Sequence, residues 1–125
     1  RCPVLAGGEA ATGRISFERL EALIGTDDPA LVTRLVESYL AHTPVLVATM
    51  RSALQAGQRA PIRDAAHSLR SSSAYLGLHE MTALCTAVED DAVAGDLEAV
   101  AHQVKQVEAT YARLYEALQR QVDRS

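Results

Sequence analysis

The sequence predicts an all-α protein, an antiparallel four-helix bundle with one or two short additional helices at its N-terminal end. Three observations predict this fold class. Apolar residues recur at steps of three and four in several segments, which is typical of helices with one buried face. Capping residues and glycines separate these segments from one another. No stretch alternates polar and apolar residues for long enough to predict a strand.

The composition predicts one domain with an aliphatic core. The 125 residues suffice for one compact domain,. Aromatic residues make up 4% and Trp is absent, which favours packing by Leu, Val and Ala between helices,. Residues 1–14 have the composition of a linker, and residues 15–122 form the predicted bundle. Because the chain begins at Arg1, we expect a piece of a longer protein.

The first two helices have clear boundaries. The first follows Ser16, a good N-cap, and ends at Gly25,. Asp28 and Pro29 are typical of the start of a second helix, which continues to Gly57,.

The pair Thr43-Pro44 repeats the helix-start signal inside the second helix while its apolar stripe continues,. The segment is therefore either one kinked helix or two helices that meet there.

Three further helices follow. Pro61 is predicted to open the third, which ends at Gly77; the fourth ends at Gly95, and Asp96 caps the last,. The last helix has a regular apolar seam, formed by Leu97, Val100, Val104, Val107, Tyr111, Leu114 and Leu118. Such a seam also suits an intermolecular coiled coil. We favour packing within the chain, because its other amphipathic helices need a partner.

Charge and composition exclude several function classes. The formal net charge is -4 and the 12 Lys and Arg residues are scattered, so we expect no nucleic-acid partner,. No apolar run approaches the ~20 residues that cross a bilayer, so we expect no direct membrane contact. The two cysteines form neither a disulfide framework nor a metal-ligand set, which favours a reducing compartment,. We therefore expect a cytoplasmic domain.

The third predicted helix carries His67 on its exposed face. At 100° per residue, His67 lies about 160° from Leu69 and about 140° from Ile62, both of which belong to the buried stripe. Its own face is shared by Arg63, Asp64, Arg70, Ser71 and Ala74. Small neighbours leave the ring accessible to a partner, and Arg70, one turn away, can reach a negatively charged group bound to it.

Other interpretations of these residues are weaker. An exposed histidine on a helix is usually only solvated, as we expect for His42, His79 and His102. A metal site would have to combine Asp64 and His67 with His79 or Cys85, but Cys85 falls on a buried stripe. Serines 71–73 lack a histidine base in an active-site turn. We expect Ser72 and Ser73 to bond back to the previous turn.

The sequence around His67 resembles the signature of histidine-containing phosphotransfer domains. The likeness covers the run from Ala65 to Leu78 and continues through Leu84 to Glu89. The family pattern is roughly A-H-x-L-K-G-S-x-x-x-L-G, followed by a leucine-rich helix with L-x-x-x-x-E. Carried over by position, the resemblance makes His67 the phosphorylated histidine and places Arg70 where the family usually has lysine. Gly77 becomes the glycine that ends the helix.

The sequence departs from the family pattern at two positions. Arg70 keeps the positive charge of lysine in a different shape, so we expect it still to stabilise a phosphoryl group. Ser71 replaces the usual glycine and adds a hydroxymethyl group beside the histidine, which we expect to narrow the set of receivers that can dock. The residues expected to contact a docked partner are Arg63, Asp64, Ser71, Ala74 and Gly77.

The resemblance implies a relay. A receiver domain of a hybrid sensor kinase would pass its aspartyl phosphate to His67, at Nε2 by family analogy, and the receiver of a response regulator would then take it. We expect no cofactor in this domain, since Mg²⁺ belongs to the receiver, and no autonomous kinase activity, since a glycine-rich phosphate loop is missing,. The parent protein would be a hybrid kinase, which tethers the domain if that kinase is membrane-bound.

The alternative function is that of a binding module, a degenerate bundle that binds a receiver or another protein without transferring phosphate. The presence of His67 with a cation at position 70 argues against it, whereas Ser71 leaves it some room.

Overall fold

The computed structural model describes residues 17–124 and has no strand among them. These residues form five α-helices, which we number in chain order: α1 Phe17–Ile24, α2 Pro29–Ala56, α3 Arg59–Tyr75, α4 His79–Ala94 and α5 Leu97–Arg124. The predicted all-α class is confirmed. The linker-like residues 1–14 and the capping residue Ser16 lie outside the described part.

Helices α2 to α5 form the four-helix bundle. Turns of two to four residues join successive helices, so neighbouring helices run antiparallel,. Helix α3 packs on α2 and α4, and α5 closes the bundle by packing on both α4 and α2. The short helix α1 packs on α2 as the additional N-terminal helix. Within residues 17–124, no helix is both long and apolar enough to cross a membrane.

The core between the helices is aliphatic, as predicted. Its fully buried side chains come from every described helix and include Leu20, Val32, Met50, Ile62, Leu69, Met81, Val88, Val107 and Leu118. The seam of α5 lies inside this core, with Val100, Val104 and Leu114 buried and Tyr111 packed at its margin. The seam is therefore covered by other helices of the same chain, which removes the need for an intermolecular coiled coil.

Helix α2 begins and ends at the residues that the sequence indicates. The carboxylate of Asp28 accepts a hydrogen bond of 3.0 Å from the Ala30 backbone N–H, and Pro29 occupies the first turn. Gly57 ends the helix with a left-handed φ of 69°,. The last helix is capped as predicted, since Asp96 accepts a hydrogen bond of 3.1 Å from the Ala99 N–H.

Helix α2 continues through Pro44 as one helix, which answers the question that the sequence leaves open. Proline has no N–H, so the carbonyl of Leu40, four residues earlier, loses its helical donor. The hydroxyl of Tyr111 on α5 donates to this carbonyl at 2.7 Å instead. A side chain from another helix therefore satisfies the group that Pro44 leaves without a partner.

Helix α3 begins at Arg59, so the prediction that Pro61 opens it is wrong by two residues. Pro61 still lies in the first turn, where its missing N–H leaves no carbonyl without a partner. Gln58 precedes the helix and provides no side-chain cap. The start of α3 therefore depends on proline geometry and packing and not on a capping side chain.

Candidate functional site

The exposed face of α3 carries His67 at the middle of the helix. The His67 side chain is 57% exposed, whereas Ile62 and Leu69 on the opposite face are fully buried. The prediction that the ring faces solvent is confirmed. Because α3 packs on both α2 and α4, the ring is presented by a helix that its neighbours hold in place.

Two charged side chains meet the His67 ring at Nδ1. The carboxylate Oε2 of Glu89, on α4, lies 3.1 Å from Nδ1, and the Nη2 of Arg70 lies 3.0 Å from the same atom. The Nε of Arg70 also contacts Glu89 Oε1 at 3.1 Å. Arg70 and Glu89 therefore form an ion pair beside the ring, and we call His67, Arg70 and Glu89 the His67 cluster.

One proton decides which of the two contacts at Nδ1 is a hydrogen bond. A protonated Nδ1 donates to Glu89, whereas an unprotonated Nδ1 accepts from Arg70. In the first case the lone pair of a neutral ring lies on Nε2, and in the second case Nε2 carries the proton. The ion pair of Arg70 Nε with Glu89 persists in both cases. Glu89 therefore favours the tautomer in which Nε2 is a nucleophile.

Glu89 is the member of the His67 cluster that sequence reasoning missed. It lies 22 residues after His67 and reaches the ring only because α4 packs against α3. The available signal was the glutamate of the L-x-x-x-x-E pattern, which falls at position 89. Its side chain is only 20% exposed, so its contacts with the ring and the guanidinium are partly shielded from water.

Arg63 and Asp64 lie one turn before His67 and pair with each other. The Arg63 Nη2 lies 3.2 Å from Asp64 Oδ1, and both side chains are well exposed. They therefore share the exposed face of α3 with His67, and no described hydrogen bond or ion pair links either of them to its ring.

The serines after His67 differ in their bonding. Ser72 donates to the Leu69 carbonyl at 3.2 Å, as predicted. The prediction for Ser73 is wrong, because its hydroxyl meets the Tyr39 hydroxyl at 2.9 Å across the α2–α3 contact. Burial raises the pKa of Tyr39 to about 12, so this phenol stays protonated. Ser71 and Ala74 are exposed beside and beyond the histidine.

Gly77 lies apart from the exposed face of α3. It is buried in the turn after α3 with a φ of 72°, and a Cβ at this position would overlap the side chain of Leu23 on α1. The left-handed backbone favours glycine here, and a larger residue would also displace the Leu23 side chain,. The structure therefore gives Gly77 a role in the turn after α3.

An apolar groove runs along α3 on the side that faces α2. It has a volume of about 390 Å³, and its walls include Ser68, Ser72 and Tyr75 from α3 and Val45 and Leu46 from α2. Val45 and Tyr75 are among the few large apolar side chains that are more than half exposed. The two sides of His67 therefore differ: charged groups lie toward α4 and an apolar groove lies toward α2.

The other chemistry-bearing residues make no described hydrogen bond or ion pair with the His67 ring. His42, His79 and His102 are exposed, and His42 lines the apolar groove. Cys85 is fully buried, and burial raises the pKa of its thiol to about 12, so it is a protonated core residue,. Within residues 17–124, no group of three or more histidine, cysteine or acidic side chains could hold a metal ion.

Comparisons with known proteins identify the family. The family model of the Hpt domain matches residues 34–123 of this chain. The fold is similar to that of histidine-containing phosphotransfer protein B (HptB) from Pseudomonas aeruginosa PAO1, with a TM-score of 0.78 and 20% sequence identity over 87% of this chain and 91% of that chain. No curated protein matches the chain. Since the family match spans well over half of the sequence, the chain belongs to the Hpt domain family and is a phosphorelay intermediate of two-component signalling, a phosphocarrier and not a kinase.

Proposed function

We propose that His67 is the residue that carries the phosphoryl group, and that it does so on Nε2. The observation that carries this proposal is the arrangement at the ring: His67 is exposed, and its described contacts are all made at Nδ1. Glu89 can hold the Nδ1 proton, which leaves the Nε2 lone pair directed at solvent.

Transfer at Nε2 is a displacement at phosphorus. The Nε2 lone pair forms the N–P bond while the P–O bond of the aspartyl phosphate breaks, and the aspartate carboxylate leaves with the electron pair. The ring gains a positive charge, which the Glu89 carboxylate 3.1 Å from Nδ1 stabilises,. No proton has to leave the ring during the step. Transfer to a second receiver is the same step in reverse.

Arg70 is the phosphoryl-stabilising cation in this proposal. Its guanidinium has five N–H donors, of which Nε faces Glu89 and Nη2 faces the ring,. The remaining donors are available to the oxygens of a phosphoryl group on the histidine. Because the Glu89 carboxylate holds the Nε edge of the guanidinium, Arg70 stays beside the His67 ring.

The partners that we propose are a receiver domain of a hybrid sensor kinase as donor and the receiver of a response regulator as acceptor, both in the cytoplasm. Each receiver would supply the aspartate and its Mg²⁺, so no cofactor is needed in this domain. The docking surface would include Arg63, Asp64, Ser71 and Ala74 around His67. The resemblance of the sequence to the family signature supports this assignment, and a receiver domain encoded directly upstream would support a hybrid kinase as the parent protein.

The test is a phosphotransfer assay from a receiver domain labelled with radioactive phosphate. The wild type should gain an acid-labile, base-stable label, and His67→Gln should gain none. His42→Gln is the matched control, because His42 is also exposed and lies on the adjacent helix; it should be labelled like the wild type.

Two results would contradict the proposal. Label that persists in His67→Gln would assign the phosphoryl group to another residue. A wild-type chain that binds receivers and never becomes labelled would support the degenerate bundle, which docks without transfer.

A further inference from the structure

Two side chains flank His67 on opposite sides of its helical face. At 100° per residue, Arg70 lies about 60° to one side of His67 and Ser71 about 40° to the other. The contact of Arg70 with Glu89 shows that the Arg70 side of the ring faces α4. Ser68, Ser72 and Tyr75 line the groove toward α2, and they lie on the same side as Ser71. The reacting ring therefore stands between a cation and a hydroxyl.

The Ser71 hydroxyl differs from those of the two serines that follow it. Ser72 donates to the backbone of its own helix, and Ser73 is buried against Tyr39. Ser71 is exposed, and among the described residues no hydrogen bond of its side chain is found. Its donor is therefore available to a group that arrives at the surface.

The orientation of the ring places the incoming group within reach of this hydroxyl. Both Arg70 and Glu89 meet Nδ1, so that edge of the ring faces α4. Nε2 lies across the ring and points away from α4. Residues one helical turn apart have Cβ atoms about 5–6 Å from each other, and helical side chains tilt toward the N-terminus, so Ser71 leans back toward His67.

We propose that the Ser71 hydroxyl donates a hydrogen bond to the phosphoryl group on His67 Nε2, opposite to Arg70. This inference rests on the proposed function, since it assumes phosphorylation of His67. Ser71 acts as a phosphoryl-binding residue that stabilises the phosphorylated state, in addition to any effect of its size on docking.

The equilibrium of phosphoryl exchange separates these two effects. The equilibrium constant between a phosphorylated receiver and the phosphorylated chain depends only on the free species, so a change in docking affinity alters the rate and leaves the constant unchanged. A hydrogen bond to the phosphoryl group, by contrast, favours the phosphorylated chain. Loss of one hydrogen bond of typical strength should shift the constant about three- to tenfold toward the receiver.

The experiment measures this constant with the complete 125-residue chain and a receiver that labels it. Ser71→Ala and Ser71→Gly should both lower the constant about three- to tenfold, and Ser71→Thr, which keeps the donor, should stay within about twofold of the wild type. Ser68→Ala is the matched control, because Ser68 is also exposed but lies farther round the helix, in the groove wall. Thermal unfolding checks that each variant is folded.

An unchanged constant in Ser71→Ala would overturn the inference. So would a change in Ser71→Gly alone, since glycine also loosens the helix. Failure of the proposed function looks different, because His67 would then carry no label in any variant.

Discussion

His42 and His67 lie on adjacent helices with exposed side chains, yet their rings are held in different ways. Among the described residues, the Nδ1 of His42 meets only groups of Ser38 on its own helix, the carbonyl oxygen at 2.8 Å and the hydroxyl at 3.2 Å. The Nδ1 of His67 meets a carboxylate from α4 and a guanidinium one turn away. A backbone carbonyl can orient a ring, but only the second setting can stabilise charge that develops during transfer.

The largest effect on this comparison is expected from Glu89→Gln. The amide can still accept from Nδ1, but it cannot balance the positive charge that the ring gains. We expect phosphotransfer to slow about 10- to 100-fold, because an uncompensated charge near the ring raises the barrier. Single-turnover transfer rates measure the effect. Ser38→Ala, which alters the corresponding contact of His42, should leave the rate unchanged; equal rates in wild type and Glu89→Gln would refute the role of the carboxylate.

The next largest effect is expected from Arg70→Ala. Loss of the guanidinium removes a charge-assisted contact to the phosphoryl group, so transfer should slow about tenfold, and Arg70→Lys should recover part of the rate. Arg51→Ala is the control, since Arg51 forms an ion pair with Glu108 that joins α2 to α5 and lies outside the His67 cluster. A transfer rate that falls as far in Arg51→Ala would show that general charge, and not position, is responsible.

A smaller effect is expected from a variant near His42 that should change stability and leave the chemistry at His67 unchanged. Tyr111→Phe removes the hydrogen bond to the Leu40 carbonyl and should lower the free energy of unfolding by about 1 kcal/mol,. Phosphotransfer at 25 °C should not change. Tyr115→Phe is the control, because the Tyr115 ring contacts Tyr111 and is itself 45% exposed. Denaturant unfolding measures the free energy of unfolding of both variants. Equal values for the two would contradict a stabilising role of the Tyr111 hydrogen bond.

The smallest effect is expected in alkaline solution. Burial raises the pKa of Cys85 from 9.0 to about 12, so the folded chain holds the thiol proton more tightly than the unfolded chain does. The resulting stability is complete well below pH 9, begins to fall as the pH approaches 9, and is lost as the pH rises toward 12,. At pH 9 the loss should be roughly half a kcal/mol. Cys85→Ala should show less loss between pH 7 and pH 9 than the wild type; identical pH profiles would contradict the shift.

Much of the fold was predictable because its signals are local. The cap at Asp28, the glycine at 57 and the cap at Asp96 act within a few residues of the helix ends that they determine. The exposed position of His67 followed from helical periodicity alone. The early start of α3 was missed because Gln58 provides no side-chain cap to mark it.

The contacts that sequence reasoning missed join distant segments. Glu89 reaches the ring of His67 from another helix, and Ser73 bonds to Tyr39 on α2 instead of its own helix. The fate of the helix at Pro44 could not be decided locally, since it involves Tyr111 on α5. Periodicity assigns each residue to a face, but the identity of the neighbour on that face depends on how the helices pack.

The hydrogen bond between Tyr111 and the Leu40 carbonyl makes the residues suited to positions 44 and 111 depend on each other. If Pro44 were replaced by a residue with an N–H, the carbonyl would regain its helical donor, and the hydroxyl at position 111 would become dispensable. While proline stays, phenylalanine at position 111 would leave a carbonyl without its donor. We therefore expect proline at position 44 and tyrosine at position 111 to occur together among relatives of this chain.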